Sequence, residues 1–239
     1  MPTNGGPEEL PKVTLAFLRR VEKLCPRRVA FEHHNRRGNR TAPARWRVAN
    51  QLMDHARVAH IELGPPSPAA FTPLPNLVPE EQRVYETAAR WYLRLFGGRA
   101  VRAVDADEWE TPVPELGIRL VGPAGLTFED ADGHAELRLL RVGGAEPDAA
   151  DPLGPVETRF ALLRRSEWLA GRSVRIVHAD LLYGALVEHE VSTDVIAAEL
   201  SPWLRERVEA LRARITRPEA RPSLECGRCR FVAGCAAHG

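Results

Sequence analysis

The sequence predicts an α/β protein whose chain runs through helices, a central run of strands, a helix, more strands and a closing helix. Three observations predict it. Residues 79–96 set Val84, Ala88, Trp91, Tyr92 and Leu95 at helical spacing between Pro79-Glu80-Glu81 and Gly97-Gly98. Residues 100–142 change to short segments of β character, VRAVDA, WETPV, IRLVG, LTFED and AELRLLRV, cut by Pro112, Pro114, Pro123 and Asp132-Gly133. A helical pattern over about 157–169 then leads into two more strand patterns, Ser173–Asp180 and Tyr183–Glu190.

Taken in order, the first helix is expected from about Leu10 to Leu24, with Pro11 in its first turn and an apolar stripe of Leu15, Leu18, Val21 and Leu24. Proline disfavours helical geometry at the residue before it, so Cys25-Pro26 puts Cys25 at a turn or helix junction, with helix resuming at Arg27. After the basic loop HHNRRGNRTAPAR a second helix spans about Arg47 to Ile61 and stops at Gly64-Pro65-Pro66. The proline-dense stretch GPPSPAAFTPLPNLVP is a connector. The helix over 79–96 carries glutamates in its first turn, where the helix dipole favours them, and its aromatics read as core. The segments of 100–142 fit an antiparallel meander. A loop, GGAEPDAADPLGP, precedes the helix over 157–169, and a long helix runs from about Thr193 to Ile215. No internal repeat is visible, and one domain over residues 1–239 is expected.

With 44% hydrophobic and 27% charged residues the composition is that of a globular chain with a packed core, not of a disordered one. No stretch reaches the roughly 18 consecutive apolar residues that a membrane-spanning helix needs. The amino end lacks the basic-then-apolar order of a signal peptide, so no membrane association is expected and the cytoplasm is the expected compartment. Net charge is only +1, but between Arg19 and Arg57 basic side chains far outnumber acidic ones. Arg27, Arg28, Arg36, Arg37 and Arg40 are the candidate phosphate contacts within that stretch, against the alternative of a solvated arginine-rich face.

Three of the four cysteines crowd into the carboxyl end as Cys226-Gly-Arg-Cys229-Arg-Phe-Val-Ala-Gly-Cys235. A Cys-x-x-Cys step lets two thiolates converge on one metal or cluster, and Cys235 can reach back through Ala233 and Gly234. Cys25 is the only cysteine left to supply a fourth ligand, which would join the region 224–239 to the first helix across nearly the whole chain. A disulfide pair or four unconnected thiols are the alternatives, and the spacing also suits a four-thiolate zinc ion.

The string Leu15-x-x-Leu18 through Leu24-Cys25-Pro26-Arg27-Arg28, followed two hundred residues later by Cys226-x-x-Cys229 and Cys235, resembles the iron–sulfur subgroup of the PD-(D/E)XK nucleases, which includes RecB-like, AddB-type and CRISPR-associated exonuclease domains. The resemblance implies a restriction-endonuclease-like central mixed sheet flanked by helices. It also implies a [4Fe–4S] cluster held by Cys25, Cys226, Cys229 and Cys235, and binding to DNA ends or single strands. The family's chemistry needs an aspartate on one strand and Asp/Glu-x-Lys on the next, the carboxylates holding Mg²⁺ or Mn²⁺ that activates water.

The hairpin that matches is Leu120–Phe128 followed by Glu136–Gly143, and it departs from that pattern. Gly125 stands where the first aspartate belongs, and Leu139-Leu140-Arg141 where Asp-x-Lys belongs. Lys12 and Lys23 are the only lysines, so no strand of the hairpin can supply one. Arg141 brings positive charge but not the compact ammonium of lysine. His55 and His60 are read as surface or core histidines, not as the family's helix histidine, and the helix over 157–169 offers Arg159 and Arg164 instead of glutamine or tyrosine. Asp130-Ala-Asp132-Gly133 reads as turn chemistry, and Asp105, Asp107, Glu108 and Glu110 as a solvated strand face.

Three functions are therefore weighed. The first is a catalytically inactive, cluster-bearing pseudo-nuclease that binds nucleic acid, a partner helicase or nuclease, or both. The second is a divergent metal-dependent DNA exonuclease using Asp105, Asp107, Glu129 or Asp130. The third is a structural zinc module for assembly.

Overall fold

A computed structural model of the chain describes residues 11–20, 25–28, 44–73, 75, 77–104, 110–122, 125–143, 151, 153–216, and residues 219, 226, 229, 233 and 235. In chain order the elements are β1 (Lys12–Thr14), α1 (Leu15–Arg20), α2 (Ala44–Ala59), α3 (Pro79–Phe96), β2 (Val101–Ala103), β3 (Glu110–Val113), β4 (Ile118–Val121), β5 (Leu126–Asp130), β6 (Ala135–Arg141), α4 (Val156–Arg164), α5 (Ser166–Leu169), β7 (Ser173–Asp180), β8 (Ala185–Ser192) and α6 (Thr193–Thr216). The class is α/β, with mixed sheets and helices beside them. The chain, read above as one domain, gathers into two compact units. One holds Met1–Asn39, Trp109–Gly122 and Ala198–Gly239, and the other Arg40–Glu108 and Pro123–Ala197. Among the described residues no helix is long and apolar enough to cross a membrane.

The larger unit is built on a five-stranded sheet of order β2-β5-β6-β7-β8. All neighbours are antiparallel except β6 and β7, which run parallel and are joined through α4 and α5. A parallel pair needs such a crossover, because no tight turn can return the chain to the same end of the sheet. Val48, Leu52 and Ala56 recur at helical spacing on α2, and Tyr85, Ala88, Tyr92 and Phe96 do so on α3. They form one core with Phe128, Leu140, Val177 and Ala179 of the sheet. The entry to α3 is fixed by Glu81, whose carboxylate accepts the Val78 N–H at 3.4 Å and pairs with Arg47 of α2. Both α2 and α3 lie where the periodicity puts them. The helix expected over 157–169 is interrupted at Arg165, giving α4 and α5.

The other unit contains a three-stranded sheet of order β1-β4-β3, and it corrects two expectations. Residues 12–14, expected in the first helix, are a strand paired in parallel with Arg119–Val121 of β4. Val13 and Thr14 are β-branched, Val13 is buried, and Lys12 pairs with Glu110 at 2.7 Å, so the edge of β4 offers this segment more than a frayed helical turn would. Helix α1 starts only afterwards, capped by the Thr14 hydroxyl, which accepts the Phe17 N–H at 3.4 Å. The second correction concerns the meander. Strands β3 and β4 leave it to join β1, and β2 pairs directly with β5. Pro112 explains where β3 can sit, since a residue without an N–H is tolerated on an edge strand. Leu120 therefore belongs to β4 and not to the hairpin, which runs from Leu126 to Arg141. Arg207 and Arg212 of α6 donate to the carbonyls of Leu18 and Leu116 within this unit.

Candidate functional site

Side chains alternate along a strand, so β6 divides its residues between two faces. Glu136, Arg138 and Leu140 face α2 and α3; Leu137, Leu139 and Arg141 face α4, where Arg141 lies 3.9 Å from Glu157. The α4 face is where the sequence puts the family's chemistry. Gly125 enters β5 with φ +72°, and a Cβ built on it would meet the Arg138 carbonyl at 2.9 Å, Leu139 Cδ2 at 3.2 Å and Leu137 Cδ1 at 3.3 Å. The two positions expected to carry carboxylates are thus brought against each other across the hairpin. One has no side chain and no room for one, and the other fills the space with isobutyl. Neither can ligate Mg²⁺ or Mn²⁺, which take oxygen donors. Across the parallel register Leu139 faces His178 and Arg141 faces Asp180. His178 contacts the Thr158 hydroxyl of α4 at 3.3 Å, and Asp180 accepts the Gly143 and Leu182 N–H groups at 3.2 and 2.9 Å.

On the opposite face lies a polar network that the sequence reading did not single out. Arg138 is fully buried between the rings of Phe96 and Phe128, with its guanidinium carbon 4.1 and 4.0 Å from their centroids. It donates to Glu136 and to the Tyr92 hydroxyl at 2.5 Å each, and to His60 Nε2 at 3.2 Å. Because arginine only donates, His60 Nε2 is the acceptor, and its proton sits on Nδ1, 3.3 Å from the Gly64 carbonyl. Burial and then the Arg138 charge lower the His60 pKa to about 4. Burial alone would raise the Glu136 carboxyl, but Arg138 and Arg99, the latter donating at 2.7 Å, outweigh it and hold it below the ordinary range. The signal in the sequence was the period of two. Glu136 and Arg138 share one face of a strand with neighbours on both sides, where charges must pair with protein because water is absent.

The other candidates are accounted for locally. His55 contacts the Tyr85 hydroxyl, and burial lowers its pKa. Asp130 Oδ1 accepts the Asp132 and His134 N–H groups at 3.0 and 2.9 Å, and Gly133 takes φ +81°, which is the turn chemistry expected there. Asp130, Asp132 and His134 do offer three ligand atoms within 4.8 Å of one another, two of the residues being exposed. Glu129 pairs with Arg172 at 2.8 Å and Arg102 at 3.3 Å, and Glu110 pairs with Lys12 and Arg119 in the smaller unit. Asp105, Asp107 and Glu108 lie outside the described residues.

Cys25 sits, as expected, in a non-helical position immediately before a helical turn at 26–28 that carries Arg27 and Arg28, both half-buried. Arg36, Arg37 and Arg40 lie outside the described residues. Cys25 Sγ is 4.0 Å from the Glu219 carbonyl. The Cys229 N–H donates to the Cys226 carbonyl at 2.9 Å. All four cysteines are half-buried, and none is joined in a disulfide. Four thiolates about 2.3 Å from one tetrahedral ion stand about 3.8 Å apart. Among the described residues no three of these four sulfurs come within 4.8 Å of one another.

No family model matches the chain, and no curated protein matches it. Among solved structures, one described as the crystal structure of SSO0001 is similar over 97% of this chain and 89% of that chain, at 14% identity and a TM-score of 0.36. That likeness is too distant to assign either fold or activity.

Proposed function

We propose that this chain is a catalytically inactive, nuclease-like iron–sulfur protein that binds nucleic acid, a partner helicase or nuclease, or both. The observation that carries the reading is Gly125 set against Leu139. A PD-(D/E)XK nuclease holds a divalent cation between two carboxylates on this hairpin; here backbone and isobutyl close that position, and Arg141 ends the strand in place of a lysine. The two positions that would supply carboxylates thus supply none where water would be activated. The four-cysteine set supports the cluster through its donor chemistry. The contact between Cys25 and the Glu219 carbonyl supports joining the two ends of the chain. Cys25, Cys226, Cys229 and Cys235 would hold a [4Fe–4S] cluster, whose role in this reading is to staple the fold. Arg27 and Arg28, with Arg36, Arg37 and Arg40, would meet phosphate.

Cluster-loaded protein given labelled DNA ends with Mg²⁺ or Mn²⁺ is expected to cleave nothing. Robust cleavage abolished by replacing Glu129 or Asp130 would establish the divergent exonuclease instead. Metal and sulfide analysis on anaerobically purified protein is expected to find about four irons and four sulfides, lost in Cys25→Ala. One zinc without sulfide would make the chain a structural zinc module.

A further inference from the structure

Between β7 and β8 the chain turns through Leu181-Leu182-Tyr183-Gly184, and Tyr183 is 66% exposed. Among the described residues it is the only aromatic among the large exposed hydrophobic side chains. The turn beneath it is firmly built. Asp180 accepts the Leu182 N–H through its carboxylate and the Gly184 N–H through its carbonyl, both at 2.9 Å. Gly184 has φ +71°, and a Cβ there would overlap the Trp91 ring, so Trp91 lies flat against the turn. The tyrosine is therefore held out from a rigid base, where its exposure does nothing for folding.

Two arginines lie against the neighbours of this turn. On the Leu182 side, a Cβ on Gly143 would meet Arg45 Nη1 and Leu182 Cδ2 at 3.1 Å each, which places the Arg45 guanidinium beside the residue preceding Tyr183. On the Gly184 side, Trp91 carries the Arg94 guanidinium over its ring at 5.0 Å. Among the described residues neither guanidinium takes a hydrogen bond or an ion pair. Arg45 also sits in the first turn of α2, which holds no acidic residue, at the end of the helix where a cation is disfavoured unless an anion comes near. Among the described residues Arg141, two residues before Gly143, pairs with Glu157 at 3.9 Å.

An exposed ring on a turn with two cations close to its neighbours, neither paired among the described residues, matches one ligand chemistry, an unpaired base with phosphates nearby. A duplex hides the faces of its bases in the stack, so the match is to a single strand. We infer that the tip of this hairpin is a stacking platform for single-stranded nucleic acid, with a base on Tyr183 and backbone phosphates on Arg45 and Arg94. This rests on the reading of the chain as a nucleic-acid-binding protein, and adds the residues and the stacking contact.

The test is fluorescence anisotropy of the full-length, cluster-loaded protein with a labelled oligothymidylate, repeated over a salt series. Tyr183→Ala is expected to weaken binding about tenfold and Tyr183→Trp to restore it. Arg45→Gln and Arg94→Gln should each reduce the slope of log affinity against log salt by about 0.7. All four substitutions are on solvent-facing groups, and unchanged melting temperatures would verify that the fold is intact. Wild-type affinity retained in Tyr183→Ala would overturn this inference while leaving nucleic-acid binding in place. An equal loss for a duplex of the same length would rule out stacking. No binding by the wild type would remove the nucleic-acid reading itself.

Discussion

The two faces of β6 handle polarity in opposite ways. Towards α2 and α3, Glu136 and Arg138 are charged, buried and paired with each other, with Arg99 and with Tyr92. Towards α4, Leu137 and Leu139 are apolar and close over Gly125. A Glu-x-Arg sequence on a sheet strand resembles machinery, yet its face meets aromatic rings and a neutral histidine. Which face a residue is on, more than its polarity, decides what it does.

That contrast can be broken most severely at Arg138. Arg138→Ala leaves Glu136 buried without its main counter-charge and opens a hole between Phe96 and Phe128. A loss of about 3–5 kcal/mol in chemical denaturation is expected. Acid attacks the same face more gently. His60 is held neutral with its pKa lowered to about 4 from an unfolded value of 6.5, so the unfolded state binds the proton first. Stability is then fully present above pH 6.5 and falls by roughly 3 kcal/mol as pH drops towards 4, in a window that His60→Gln should flatten. Glu136, also lowered, acts in the same direction as it is protonated.

On the apolar face, Gly125→Ala introduces a Cβ 2.9 Å from the Arg138 carbonyl at φ +72°, for an expected loss of roughly 1–3 kcal/mol in melting experiments. Leu139→Met, which preserves volume and polarity, should cost under about 1.5 kcal/mol. Leu139→Asp should create no Mg²⁺-dependent cleavage, because Gly125 and Arg141 remain. Cleavage appearing in that variant would mean that the hairpin needs only one acid to work.

Much of the fold was legible because periodicity is local. The apolar spacing of 79–96 and the alternation of 173–180 led directly to α3 and β7, whose bounds match the reading. What failed was non-local. Nothing inside Lys12-Val13-Thr14 says that β4 waits more than a hundred residues downstream, so a helix was the natural expectation. Nor do the segments of 100–142 reveal that β3 and β4 serve a different sheet from β2 and β5. The juxtaposition of Gly125 with Leu139 followed from reading the hairpin as a hairpin. The Glu136–Arg138 network escaped because its partners, His60, Tyr92 and Arg99, come from distant positions. Tyr183 escaped for another reason: a lone tyrosine beside a turn glycine has no signature until its neighbours are in place.

The discontinuity of the smaller unit has a consequence for how the protein is made. Its three pieces are Met1–Asn39, Trp109–Gly122 and Ala198–Gly239, and every residue of the larger unit has been translated before the last of them is complete. On the ribosome, β1 emerges without β4, and Cys25 emerges without any of the residues around Glu219 that it later meets. The larger unit is free to condense during synthesis, whereas the smaller one waits for Ala198–Gly239. A translation product that stops after Ser192 will therefore hold the strands of both sheets but lack α6, whose Arg207 and Arg212 bind carbonyls of the smaller unit.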